Sequence, residues 1–87
     1  MNTTTENSAW ADRYNRNLVA DAIERSIGQD RRVTLQVSDF PGLCRIDDVF
    51  ALISAYADDA DNSGCRDNEM EVWGDHDGDA FALRVVP

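Results

Sequence analysis

The residues best suited to chemistry lie between Asp58 and Asp79. Asp59-Ala60-Asp61-Asn62-Ser63-Gly64 matches the opening of a calcium-binding loop, with acids at the first and third positions, Ser at the fifth and Gly at the sixth. Asp67 falls at the ninth position, but the twelfth is Met70, where a bidentate Glu is required; Glu69 and Glu71 miss it by one on either side. A strand rather than a helix is expected to follow. Asp75, Asp77 and Asp79 alternate in the same way, but their Gly is misplaced. A calcium-binding domain is therefore a subordinate alternative, and no resident metal or cofactor is expected.

Nucleophilic chemistry has three residues to draw on: Cys44, Cys65 and His76. The sequence puts His76 at an exposed hairpin tip ringed by carboxylates, a poor setting for a general base. The cysteines read as reduced thiols, small buried or loop residues. The acids are many, but general acid–base work needs one in an apolar pocket, and these read as solvated. With no glycine-rich phosphate loop and no catalytic motif, no enzyme activity is expected.

Charge is more telling. The chain has 87 residues and a net charge of −9. Nine acids, Asp58, Asp59, Asp61, Asp67, Glu69, Glu71, Asp75, Asp77 and Asp79, face a single base, Arg66, over 22 residues, while the remainder is nearly neutral. Such localised acidity argues against contact with nucleic-acid phosphates or an anionic membrane, and for basic proteins, cations or solubility alone. Trp73 sits in the middle of the run. On a polar sheet face it is an anchor for a protein interface, or else a shield for Ala80 and Ala82.

The elements that must position these residues begin with a hairpin over Glu69–Val86. Asp77-Gly78 suits a type I′ turn, in which both central residues take positive φ. A two-residue turn pairs His76 with Asp79, Gly74 with Phe81, Trp73 with Ala82, Val72 with Leu83, Glu71 with Arg84 and Met70 with Val85. Met70, Val72, Phe81, Leu83 and Val85 then share one face, and Glu71 meets Arg84 on the other. A four-residue loop, Asp75 to Gly78, is the competing turn.

Upstream, a polar tail at residues 1–7 precedes a helix capped at Asn7 or Ser8 and ended by Gly28 in the left-handed conformation. Its expected apolar stripe is Trp10, Ala11, Tyr14, Leu18, Ala22 and Ile23. Arg32–Val37 alternates as a half-buried strand, and Pro41-Gly42 turns the chain. A second helix starts near Asp47, presents Ile46, Val49, Ile53, Tyr56 and Ala60, and ends near Asp58–Asp61. Asp61–Asn68 reads as a polar loop. The expectation is one α+β domain spanning residues 1–87, in the order α-β-α-β-β, with a three-stranded, mainly antiparallel sheet and two helices on one face.

The N-terminal residues lack a basic region followed by an apolar run, so no signal peptide is expected and the protein is placed in the cytoplasm. In size, charge and the acidic run at Asp58–Asp79, the chain resembles phage- or mobile-element-encoded inhibitors, the anti-CRISPR proteins and other nucleic-acid mimics. That resemblance implies a stoichiometric inhibitor in a bacterial host's cytoplasm. It would bind a CRISPR-Cas effector or another nucleic-acid-binding protein through its acids and Trp73, with no direct contact to nucleic acid. The alternative is a small adaptor or antitoxin-like module binding through apolar helix faces.

Overall fold

The structure, a computed structural model, describes residues 3–87, with side chains from residue 9 onward. The first two residues of the expected N-terminal tail lie outside the described residues. The chain forms α1 (Thr3–Gln29), β1 (Val33–Gln36), a short 3-10 turn (Val37–Asp39), α2 (Ile46–Tyr56), β2 (Asp59–Asn62), β3 (Met70–His76) and β4 (Asp79–Val86). The class is α+β, but the sheet has four strands, in the order β1-β4-β3-β2. It is mixed: β1 runs parallel to β4, and the other two pairings are antiparallel.

The hairpin forms in the expected register, from His76 opposite Asp79 to Met70 opposite Val85. Asp77 and Gly78 have φ of 52° and 84°, so the two-residue type I′ turn forms in place of the four-residue loop. Met70, Val72, Phe81, Leu83 and Val85 are buried, and they meet Val33, Leu35 and Val37 from the β1 segment in one core. Val19, Ala22 and Ile23 of α1 and Val49 and Ile53 of α2 join the same core, so both helices lie on this face of the sheet.

The additional strand, β2, takes in residues expected to end the second helix and begin a loop. α2 stops at Tyr56, because Ala57 is already extended with ψ 155°. β2 then pairs with β3 along the outer edge, with Ala60 opposite Gly74 and Asn62 opposite Val72. A second left-handed pair, Asp67 and Asn68 at φ 53° and 60°, turns the chain into β3 inside the expected loop. α2 starts at Ile46, one residue before the expected site, and Arg45 at its N-cap supplies no side-chain hydrogen bond.

α1 departs from expectation at both ends and around its axis. It begins at Thr3, before the Asn7–Ser8 cap, and runs through Gly28 to Gln29. The left-handed residue is Asp30, at φ 50°. Arg31 N–H donates to Ser26 O (3.1 Å) and Asp30 N–H to Ile27 O (3.3 Å), the bonding pattern of a Schellman end two residues further on. The buried face is Asn15, Val19, Ala22, Ile23 and Ser26, while Trp10 and Tyr14 of the expected stripe are exposed. Two polar residues thus replace two aromatics in the core-facing row, each held by its own bonds. Asn15 Nδ2 donates to Pro41 O (2.9 Å). Ala82 N–H donates to Ser26 Oγ (2.9 Å).

These contacts also orient α1. Pro41 follows the C-terminal end of β1, which lies beside the C-terminal end of β4 because the two are parallel. The N-terminal half of α1 therefore sits at the end of the sheet opposite the Asp77-Gly78 tip.

Candidate acidic interface

The face of the sheet away from the helices has two regions. Asp59 lies opposite Asp75, which in turn lies opposite Ala80; one step along, Asp61 lies opposite Trp73 and Trp73 opposite Ala82. These rows are aspartate, tryptophan and alanine. The following row pairs Glu71 with Arg84, and Arg84 with Thr34 of β1.

The second region is neutralised from within. Glu71 Oε1 lies 3.0 Å from Arg32 Nη1 and 3.7 Å from Arg84 Nη2, and Glu69 lies 4.0 Å from Arg84 Nε. Glu69 and Glu71, expected to belong to the acidic array, instead sit in an arginine network. The register already placed Arg84 beside Glu71. Arg32 was not legible, because it reaches the site only through the parallel pairing of β1 with β4.

The aspartates differ. Among the described residues no arginine lies within ion-pair reach of Asp58, Asp59, Asp61, Asp75, Asp77 or Asp79. Asp59 and Asp75 face each other directly across neighbouring strands, where Cβ atoms are typically about 5 Å apart and like charges repel. Asp58 braces the cluster from its edge: its N–H donates to Asp75 O (3.0 Å), and its Oδ2 accepts the Asp77 N–H (2.8 Å). Ser63 does the same at the other end of β2, its Oγ accepting the Glu71 N–H (3.1 Å) while its own N–H donates to Glu71 O (3.0 Å). Asp67 is exposed in the turn before β3, beyond the arginine network and apart from the other aspartates.

Trp73 is 47% exposed at the centre of the aspartate rows, as its outward register requires. Asp61 flanks it on β2 and Ala82 on β4, so one side of the indole is charged and the other small and apolar.

His76 is not an exposed tip residue. It points to the helix side, where its ring stacks on Tyr56 with centroids 4.4 Å apart, and its Nε2 lies 3.6 Å from Asp77 Oδ2. Its Nδ1 is buried without a hydrogen-bond partner. Loss of solvation holds the Tyr56 phenol above its ordinary pKa, and the carboxylates of Glu24 and Asp77 add to the effect. Cys44 and Cys65 are free and exposed, lining a depression with Val37, Asn68 and Pro87 near the start of β3. His76 ends that strand, six residues on, about 20 Å away at the usual rise of a strand. The three residues therefore do not assemble into a cysteine–histidine site.

The calcium-loop sequence is not a loop. Asp59–Asn62 is a strand, so its first and third residues project to one face instead of wrapping an ion. Among the described residues no group of three His, Cys, Asp or Glu side chains is placed to hold a metal. No helix among them is long and apolar enough to cross a membrane. Comparison with known proteins returns no match: no family model, no curated protein and no solved structure is significantly similar to the chain.

Proposed function

We propose that the chain is a stoichiometric, non-enzymatic protein inhibitor. It engages the basic, nucleic-acid-binding surface of a partner complex in a bacterial cytoplasm, and a CRISPR-Cas effector is the first partner to test. The observation that carries the reading is the Asp59–Asp75 pair: two like charges fixed side by side on an exposed face, with no arginine of the chain beside them. Such a pair costs folding stability, and a cationic partner would relieve that cost. Asp59 and Asp61 lie two residues apart on one strand, about 6.7 Å. Carboxylates held this close present dense negative charge to a surface built to receive phosphates. Trp73, central and flanked by Ala82, supplies the desolvated anchor that charge alone does not.

The interface is thus narrower than the whole acidic run. It comprises Asp59, Asp61, Asp75 and Trp73, with Asp58 and Asp77 at its edge; Glu69 and Glu71 are parts of the arginine network, and Asp79, opposite His76, lies on the helix side of the sheet. An adaptor acting through apolar helix faces has only Trp10 and Tyr14 of α1 to offer among the described residues, because the core-facing side chains of both helices are buried.

The test is binding of the chain to purified effector complexes, in competition with their target DNA and over a salt series. Capture is expected to weaken steeply as salt rises. The triple substitution Asp59→Lys, Asp61→Lys and Asp75→Lys is expected to abolish it with the circular dichroism spectrum unchanged. The set spares Asp77, whose positive φ the turn needs, and Asp58, whose carboxylate holds that turn. Unchanged capture by the triple variant at low salt rules this face out.

A further inference from the structure

We infer that the chain pairs with a second copy of itself through the N-terminal half of α1, with Trp10 and Tyr14 at the centre of the contact. This goes beyond the proposed inhibitory face, which lies on the other side and at the other end of the molecule. Trp10 and Tyr14 stack on each other, ring centroids 5.2 Å apart at 19°, and are 54% and 42% exposed. They are two of the three large apolar side chains left in solvent among the described residues; Trp73 is the third.

Among the side chains described, from Ala9 onward, the first buried one of α1 is Asn15, and Trp10 and Tyr14 lie on the exposed side of the helix before it. Packing against that side would bury apolar surface that the chain's own core leaves in water.

Charge selects the occupant. A second copy of a chain at −9 is repelled by every surface near the aspartates. Around Trp10 and Tyr14 the formal charges of the sequence balance, Glu6 and Asp12 against Arg13 and Arg16, and Asp12 pairs with Arg16. The acidic end is remote. Glu24, which faces Tyr56 and Asp77 at the tip end, lies fourteen residues from Trp10, about 21 Å along the helix. The screening length at physiological salt is about 8 Å. Two α1 helices crossing antiparallel at the aromatic pair bury it on both copies and leave the aspartate rows at opposite ends of the assembly. A basic partner would gain nothing from this balanced surface, whereas a second copy finds here, among the described residues, an exposed apolar pair it can approach without repulsion.

Sedimentation equilibrium over a micromolar-to-millimolar range tests this directly. The expected result is a mass rising to twice that of the chain, with association no weaker at high salt. Trp10→Ala with Tyr14→Ala is expected to weaken association roughly thirtyfold or more, as loss of a central aromatic anchor does. Thermal unfolding then serves as the check on folding. A second measurement does not depend on those variants: in a Trp73→Phe chain, Trp10 is the only indole, and its emission is expected to shift to the blue as concentration rises. A single-chain mass throughout, association that survives the double substitution in a folded variant, or Trp10 emission that does not move with concentration each overturns the proposal.

Discussion

Ser26 of α1 stands in for a residue of β1 beside Ala82 of β4. The two-residue turn puts the hydrogen bonds of Gly74–Phe81 and Val72–Leu83 between β3 and β4, so the N–H and C=O of Ala82 point to the other side. β1 pairs from Val33 opposite Leu83 onward and leaves Ala82 uncovered. Ser26 Oγ fills the gap, accepting the Ala82 N–H (2.9 Å) with Ala82 O (3.0 Å) and Arg31 O (2.7 Å) in reach of its own hydrogen. One hydroxyl thereby joins the C-terminal end of α1, the chain entering β1 and the strand behind Trp73.

Ser26→Ala should therefore cost more than a surface hydroxyl. It leaves the part-buried Ala82 N–H without an acceptor and one carbonyl without a donor, for a loss of about 1–3 kcal/mol. Urea unfolding monitored by circular dichroism measures it; an unchanged midpoint would mean that water replaces the hydroxyl at no cost.

Gly74 controls whether β2 stays on the sheet. A Cβ at this position would collide with the backbone of Asp59 and press on Ala60. Gly74→Ala should destabilise the fold by about 1–3 kcal/mol, as overpacking does. The strain falls on the edge strand, so amide exchange at Asp61 and Ser63, which face β3, should accelerate more than at Val72 or Leu83. Because β2 carries Asp59 and Asp61, partner capture should weaken in the same variant.

The alkaline limb of stability should report on Tyr56. Burial, with the charges of Glu24 and Asp77 adding to it, raises the phenol above its ordinary value. The folded chain thus holds this proton more tightly than the unfolded chain does. The stabilisation is complete below the unfolded value and is lost as pH rises through the folded one. Stability is expected to fall progressively above about pH 10, and Tyr56→Phe should flatten that slope. Denaturant midpoints measured across the alkaline range decide it.

The hairpin was legible because its information is local: an Asp-Gly turn and an alternating apolar set admit one register. β2 was not, because only Ala60 and Asn62 face inward and neither announces a strand. It is an edge strand kept polar, and its pairing depends on the space left above Gly74. The α1 face was misread because Trp10 and Tyr14 outweigh Asn15 and Ser26 in any hydrophobic pattern. The polar pair nevertheless occupies the core, each side chain bonded to a backbone group distant in sequence. The same limit applied to the site. The acids could be counted in the sequence, but which of them are neutralised depends on where Arg32 and Arg84 arrive from β1 and β4.

The Asp59–Asp75 pair should set stability against binding. Asn at either position keeps the shape and removes the repulsion across the two strands. Asp75→Asn should therefore stabilise the free protein by up to about 1 kcal/mol at low ionic strength, with the gain shrinking as salt is added. The same change should weaken capture by a basic partner, because one of the exposed charges is gone. Glu71→Gln is the contrast: it takes a charge from a carboxylate already held between Arg32 and Arg84. It should lower stability slightly and affect capture less than Asp75→Asn does. Unfolding midpoints and partner affinity measured on the two variants side by side separate the effects. If Glu71→Gln weakens capture as much as Asp75→Asn, the arginine network belongs to the binding surface after all, and the division of the sheet face into two regions fails.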